Sequence, residues 1–328
     1  MTPRIRYDRL PTERSDPRTR DLDRLSAVQV ARLMNRADTR AVRAVGRAAP
    51  AIARAVDLIV DSLSGGGRLV FVGAGTSGRL GVIEAAECPP TFGTPPALVQ
   101  AVLAGGRRAV FRAAEGAEDD AAEGARQVRR RLRPRDVVVG IAASGVTPFV
   151  RAALAEACRR GAATVLVACN PRVPRNAAGV VIGLAVGPEV LAGSTRLKAG
   201  TATKLTLNTL TTAAFARLGK VYGNRMVDLR PRSAKLRARA ARLVSEIGRV
   251  RPRDAARLLR QGGGSVKLAI VMARLGVGAH EARLRLRRAA GSLRRLLDEG
   301  APARGGRHRR VRMGDDGRAR MTTRSTLQ

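Results

Sequence analysis

The chain has only two histidines, three cysteines and five lysines, and no long apolar run. Each shortage argues against a class of function. His280 and His308 both fall late in the sequence, which argues against a histidine-based metal centre or a Ser-His-Asp triad. Cys88, Cys158 and Cys169 have no C-x-x-C spacing and are odd in number, so no disulfide framework is expected and a reducing cytoplasm fits. A bilayer span needs about 20 apolar residues. Nothing here approaches that, and Met1 to Leu10 lacks an apolar signal core, so a soluble chain without a membrane partner is expected. The five lysines stand among 62 basic residues, and the formal net charge is +36. Because the arginines run through nearly every segment, the charge reads as a composition bias rather than a phosphate-binding patch. No specific nucleic-acid partner is expected, only loose binding at low salt.

What is present is a regular alternation. Residues 1 to about 20 read as an extended arm, and helical periodicity runs through Leu22 to Met34 and Ala41 to Leu63. Short strands are predicted at 68–72, 97–102, 136–142, 163–169 and 180–186, with helices at 80–87, 121–132 and 150–160 between them. This order predicts an α/β fold, an open parallel sheet with helices on both faces and ligands bound beyond the carboxyl ends of the strands. Helices at 201–218, 234–247, 254–260, 266–274 and 279–297 close the pattern. The expected organisation is an N-terminal arm with helices (1–55), the sheet domain (56–225), a small helical domain (226–300) and a disordered basic tail (301–328).

Two hydroxyl-rich loops follow predicted strands. Gly73-Ala74-Gly75-Thr76-Ser77-Gly78 matches a dinucleotide fingerprint in form, yet no acidic residue closes the next strand for a ribose. It is better read as an anion turn, with backbone N–H groups and the Thr76 and Ser77 hydroxyls facing a ligand. The second loop, Ala143-Ser144-Gly145-Val146-Thr147-Pro148, places Thr147 as an N-cap and Pro148 at the first helical position. Together they suggest one phosphorylated small molecule.

Gly73 to Phe92, Glu115 to Asp120, Gly140 to Pro148 and Gly187 to Lys204 closely resemble the N-acetylmuramic acid 6-phosphate etherase family, whose core is a SIS (sugar isomerase) domain. The resemblance spans about residues 10 to 299. It includes Thr12-Glu13 and Leu22-Asp23 of the arm, with Ser15-Asp16-Pro17 where the family commonly has an Asn. It implies cleavage of the lactyl ether of N-acetylmuramate 6-phosphate, with water as co-substrate, no cofactor and no metal, in a cytoplasmic homodimer. It also implies Glu87 and Glu118 as the functional glutamates, with Glu84 and Glu115 as lesser candidates.

The residues admit that chemistry. Removing the acidic C2 proton of an open-chain aldose lets the C3 lactate leave, and water then adds; a base, an acid and a phosphate anchor suffice. Glu87 reads as the acid, kept protonated at a helix end that Pro89 and Pro90 impose. Glu118, just before a helix start at Asp119-Asp120, reads as the base. Thr76, Ser77, Gly78, Ser144, Gly145, Thr147, Ser194, Thr195, Arg196 and Lys198 are the expected substrate-binding residues, Arg196 and Lys198 for phosphate or lactyl carboxylate. Cys88 reads as packing. A non-catalytic sugar-phosphate regulator of the same fold is the alternative.

Overall fold

A computed structural model of the chain describes residues 10–229 and 233–298. The expected tail lies outside them. The element order is α1 (Ala27–Arg47), α2 (Ala49–Ser64), β1 (Leu69–Gly73), α3 (Gly75–Phe92), β2 (Val99–Leu103), α4 (Ala121–Arg131), β3 (Val137–Ile141), α5 (Pro148–Arg159), β4 (Ala163–Ala168), β5 (Val180–Gly183) and α6 (Lys198–Arg217). A short hairpin, β6 (Val221–Tyr222) and β7 (Arg225–Met226), leads to α7 (Ala234–Gly248), α8 (Pro252–Gln261), α9 (Val266–Leu275), α10 (Ala279–Arg288) and α11 (Leu293–Asp298).

The five long strands form one parallel sheet in the order β2-β1-β3-β4-β5. Alternate residues of a strand face opposite sides. Accordingly Leu69 and Phe71 join a core with α1, α2, α3 and α6, while Val70 and Val72 join a second core with α4 and α5. Burial on both faces is what makes the central strands β1, β3 and β4 apolar almost throughout. A third core gathers Val227, Leu243, Val244, Ile270, Leu293 and neighbours from α7 to α11. Strand order reverses between β1 and β3, so the crevice at their carboxyl ends is the place where an open α/β sheet takes its ligand.

Several boundaries differ from the sequence expectation. The arm is wound into short turns at Pro11–Glu13, Pro17–Thr19 and Leu22–Arg24, the first two started by proline. The first helix runs unbroken from a Ser26 capping box to Arg47, and the break falls before Pro50, which sits in the first turn of α2. The last predicted helix is split into α10 and α11, with Ala290 and Gly291 both at positive φ between them.

The largest correction concerns α3. It does not stop at Glu87 but continues through Pro89 and Pro90 to Phe92. A proline inside a helix costs about 3 kcal/mol. Two contacts hold the final turn in place: the Phe92 ring packs on Phe215 at 4.7 Å between centroids, and Gly93, at φ +65°, seats the helix end on Asp228. A β-carbon at Gly93 would lie 1.9 Å from the Asp228 carbonyl oxygen. Glu87 is therefore within α3, and the helix-end argument for its protonation does not apply to the residue as placed.

Candidate functional site

Three structural units meet over the β1–β3 crevice and enclose a cavity of about 360 Å³. The first is the start of α3. Gly73 and Gly78 are packed so closely that a β-carbon on Gly73 would lie 2.6 Å from the Gly78 nitrogen, and one on Gly78 would lie 2.3 Å from Leu103 Cδ1. That approach turns the chain from strand to helix at once. The first helical hydrogen bond here is Gly78 N–H to the Ala74 carbonyl, so the N–H groups before it are the free donors of the helix end. Gly75, Thr76 and Ser77 line the cavity, and no side chain caps this terminus.

The second unit is the start of α5. Thr147 takes the N-cap position and Pro148 the first helical one, as expected, but the Thr147 hydroxyl makes no capping bond and faces the cavity with Ser144. Gly145 holds φ +78° against Val173, and the Asn170 amide donates to the Ser144 carbonyl at 3.0 Å, fixing the loop. Two helix N-termini, each positive by its backbone dipoles, thus open on one space.

The third unit carries carboxylates. Glu115 and Glu118 line the cavity on the loop before α4, and the Phe149 N–H donates to the Glu118 carbonyl at 3.0 Å, binding that loop to α5. The expected helix start is present: the Asp120 carboxylate accepts from the Glu123 N–H at 2.8 Å. Arg79, which also lines the cavity, donates its Nε–H to the carbonyls of Ala109 and Val110 and so ties α3 to the segment leading into this loop.

The arm closes the remaining side. Thr12 and Glu13 line the cavity with Gly193 and Thr195, and the Gly193 N–H donates to the Thr12 carbonyl at 3.2 Å. The arm is held by Asp16, whose carboxylate takes the Arg18 guanidinium in two bonds of 2.8 and 2.7 Å and lies 3.5 Å from Arg40. The Arg18 fork holds the Asp16 carboxyl below its ordinary value, against the opposing effect of burial.

Thr76, Ser77, Ser144, Thr147, Thr195 and Glu118 are thus brought together, with Gly78 and Gly145 shaping the two loops. Others lie elsewhere. Ser194 and Arg196 are not among the lining residues, and Arg196 is exposed. Lys198 is 1% exposed and donates its ammonium to the Pro188 carbonyl. Its backbone N–H and that of Ala199 bond to the Glu189 carboxylate at 3.0 and 2.8 Å, so the N-terminus of α6 is filled by the protein's own anion. Burial pushes Glu189 up and Lys198 down, against their mutual attraction.

Glu84 is buried and accepts from Asn208 and Thr211, a tie between α3 and α6. Glu87 is exposed on α3 and does not line the cavity; ten residues beyond Ser77, it stands about 15 Å along the helix. Cys88 is buried beside it, its thiol pushed up to about 12 by burial and then by Glu84 and Glu87, which leaves it unreactive.

Sequence reasoning missed Thr12, Glu13 and Arg79. The first two belong to a recognisable arm motif, but only the fold brings them to the cavity. Arg79, one turn into a helix that begins at an anion loop, was a signal available in the sequence.

Residues 51–158 match the family model for the glucokinase regulatory protein N-terminal SIS domain. The chain is 50% identical over 299 residues to an N-acetylmuramic acid 6-phosphate etherase of Rubrobacter xylanophilus, covering 90% of this chain and 98% of that protein. It is 53% identical over 274 residues to the protein of the same name from Symbiobacterium thermophilum, covering 83% and 91% respectively. Among solved structures, a phosphoheptose isomerase from Francisella tularensis aligns with a TM-score of 0.46 at 17% identity, over 58% of this chain and 100% of its own.

Proposed function

The chain belongs to the N-acetylmuramic acid 6-phosphate etherase family, enzymes of the carbon–oxygen lyase class, and on that premise we propose how its cavity performs the reaction. N-acetylmuramate 6-phosphate binds as the open-chain aldose, D-lactate is eliminated and water adds to give N-acetylglucosamine 6-phosphate. The setting is amino-sugar recycling from the cell wall in the cytoplasm. One observation carries the reading: two uncapped helix N-termini with the hydroxyls of Thr76, Ser77, Ser144 and Thr147 share a cavity with the Glu118 carboxylate.

The phosphate dianion takes the free backbone donors at the start of α3, where the helix dipole favours negative charge, and the Ser144 and Thr147 hydroxyls beside α5. Thr195 adds a hydroxyl from the α6 side. Anchored there, the sugar presents C2 to Glu118, which removes the proton beside the aldehyde. The electron pair forms the C2–C3 double bond as the C3–oxygen bond breaks, and an acid protonates the leaving lactate oxygen. Water then adds at C3 and a proton returns to C2.

Glu87 is the proposed acid. Exposed on α3 with Ile83, itself 56% exposed one turn away, it serves the cavity of a second protomer in a homodimer packed on this face. Arg196, exposed near the rim, is the proposed partner of the lactyl carboxylate. Ser194 is proposed to support the same loop, and Lys198 to act indirectly, by bracing the loop through Pro188.

The match of residues 51–158 to the N-terminal SIS domain of a regulatory protein favours a second reading, a non-catalytic sugar-phosphate sensor. A lactate-release assay with N-acetylmuramate 6-phosphate decides between them. Wild type should release lactate and incorporate deuterium at C2 of the product in heavy water, and Glu87→Gln should lower release by about 10²–10⁴-fold while still binding the sugar phosphate. Tight binding by wild type without any lactate would establish the sensor instead.

A further inference from the structure

We propose that the helical C-terminal lobe carries a second anion site, a basin between the β6–β7 hairpin, α9 and α10 that takes a small phosphate monoester. The basin holds about 380 Å³ and is lined by Lys220, Asp228, Ser265, Lys267, Arg283 and Arg287. Four cations against one carboxylate leave a formal excess of three positive charges in a concave space.

The carboxylate is already shared. Lys220 and Lys267 both donate to the same Asp228 oxygen, at 2.6 and 3.0 Å. Lys267 is 5% exposed, and a buried ammonium with three donors needs more than half of one anion's attention. Burial pushes its proton affinity down, as does the charge of Lys220, while Asp228 only partly offsets them. Arg283 and Arg287 stand one turn apart on the same side of α10, as residues four apart do. Among the described residues neither forms an ion pair, whereas Arg285 between them is held by Glu281. The ten-residue α9 starts at the basin, capped by Ser265, and adds the positive end of its dipole. A phosphate monoester carries about −1.5 to −2 charges at neutral pH and three acceptor oxygens. It would cancel most of the excess and occupy the free donors of both lysines and both arginines. Arg283 and Arg287 rim a hollow whose floor is the buried Lys267.

The test uses the full chain and inorganic phosphate, with binding followed calorimetrically at constant ionic strength. Ser77→Asp places a carboxylate in the α3 loop and closes the first site. Arg283→Ala/Arg287→Ala empties the rim of the basin without touching the Asp228 ties. Arg129→Ala/Arg130→Ala, on the exposed side of α4, removes the same charge elsewhere. Wild type should bind two phosphates per chain, Ser77→Asp one, and Ser77→Asp with the Arg283/Arg287 replacements at least tenfold more weakly, while the α4 replacements leave affinity unchanged. No saturable binding in Ser77→Asp, or an equal loss from the α4 replacements, overturns the basin. If Ser77→Asp still binds two phosphates, the reading of the first cavity fails while the basin stands.

Discussion

The Arg79 Nε–H donates to the Ala109 carbonyl at 3.0 Å, and with an equal bond to Val110 it fastens the first turns of α3 to the segment that delivers Glu118. The proposed phosphate loop and the proposed base are therefore tied together through one side chain. Arg79→Lys keeps the charge but cannot reproduce the planar donor set. A misplacement near 1 Å can cost about 10²-fold in rate. We expect kcat for lactate release to fall roughly 10- to 100-fold, with KM for N-acetylmuramate 6-phosphate little changed. An unaltered kcat would mean the loop is held without this tie.

Glu118→Gln and Glu87→Gln should each lower activity by about 10²–10⁴-fold, the usual contribution of a positioned acid or base. If the two residues serve one cavity from different protomers, refolding the two variants together restores sites with both glutamates. Random pairing in a two-fold dimer then recovers roughly a quarter of wild-type activity. Inactive mixtures would place both residues in the same protomer's reaction path.

Two glycines of the α3 turn should respond differently to alanine. At Gly78 the added β-carbon would meet Leu103 Cδ1 at 2.3 Å and the Gly73 carbonyl oxygen at 2.6 Å, and backbone cannot give way cheaply. Gly78→Ala should abolish sugar-phosphate binding and lower the melting temperature. At Gly75 nothing lies within 4 Å, and the cost is confined to φ +51°, about 1–2 kcal/mol. Gly75→Ala should stay folded and lose affinity only modestly, as read by calorimetry and thermal melts.

Glu189→Ala leaves the buried backbone N–H groups of Lys198 and Ala199 without their acceptor. Each buried donor left without its acceptor costs about 1–3 kcal/mol, so urea unfolding should show a loss of that order. Glu189→Gln, which retains an acceptor for the Ala199 N–H, should lose less.

Asp16 makes the arm's anchorage pH-dependent. Its carboxyl is held below the ordinary value by Arg18, so the folded state binds its proton less readily than the unfolded chain does. The resulting stabilisation is complete above the ordinary carboxylate range and is lost as pH falls through the lowered value. Arg18 is 59% exposed, so screening keeps the effect small. Thermal melts from neutral into acidic pH should decline less steeply on the acid side in Asp16→Asn than in wild type.

The sheet was legible because its central strands are buried on both faces and written as apolar runs. The start of α5 was legible from Thr147-Pro148, a local signal. The run of α3 through two prolines was not, because Phe215 and Asp228, far along the chain, hold its last turn. Lys198 shows the limit for side chains. Its place in a basic motif suggests a ligand contact, yet Glu189 draws its backbone into a helix cap and Pro188 takes its ammonium. The Thr12–Gly193 bond joins the arm to a loop near α6, a pairing that no local pattern encodes.

α3 is a gauge about 27 Å long, stopped at one end by the Gly73–Gly78 contact and at the other by Gly93 against Asp228. A bar fixed at both stops cannot slide when substrate arrives. Any chain that grips it near Ile83 is thereby registered to the proposed phosphate loop at its head.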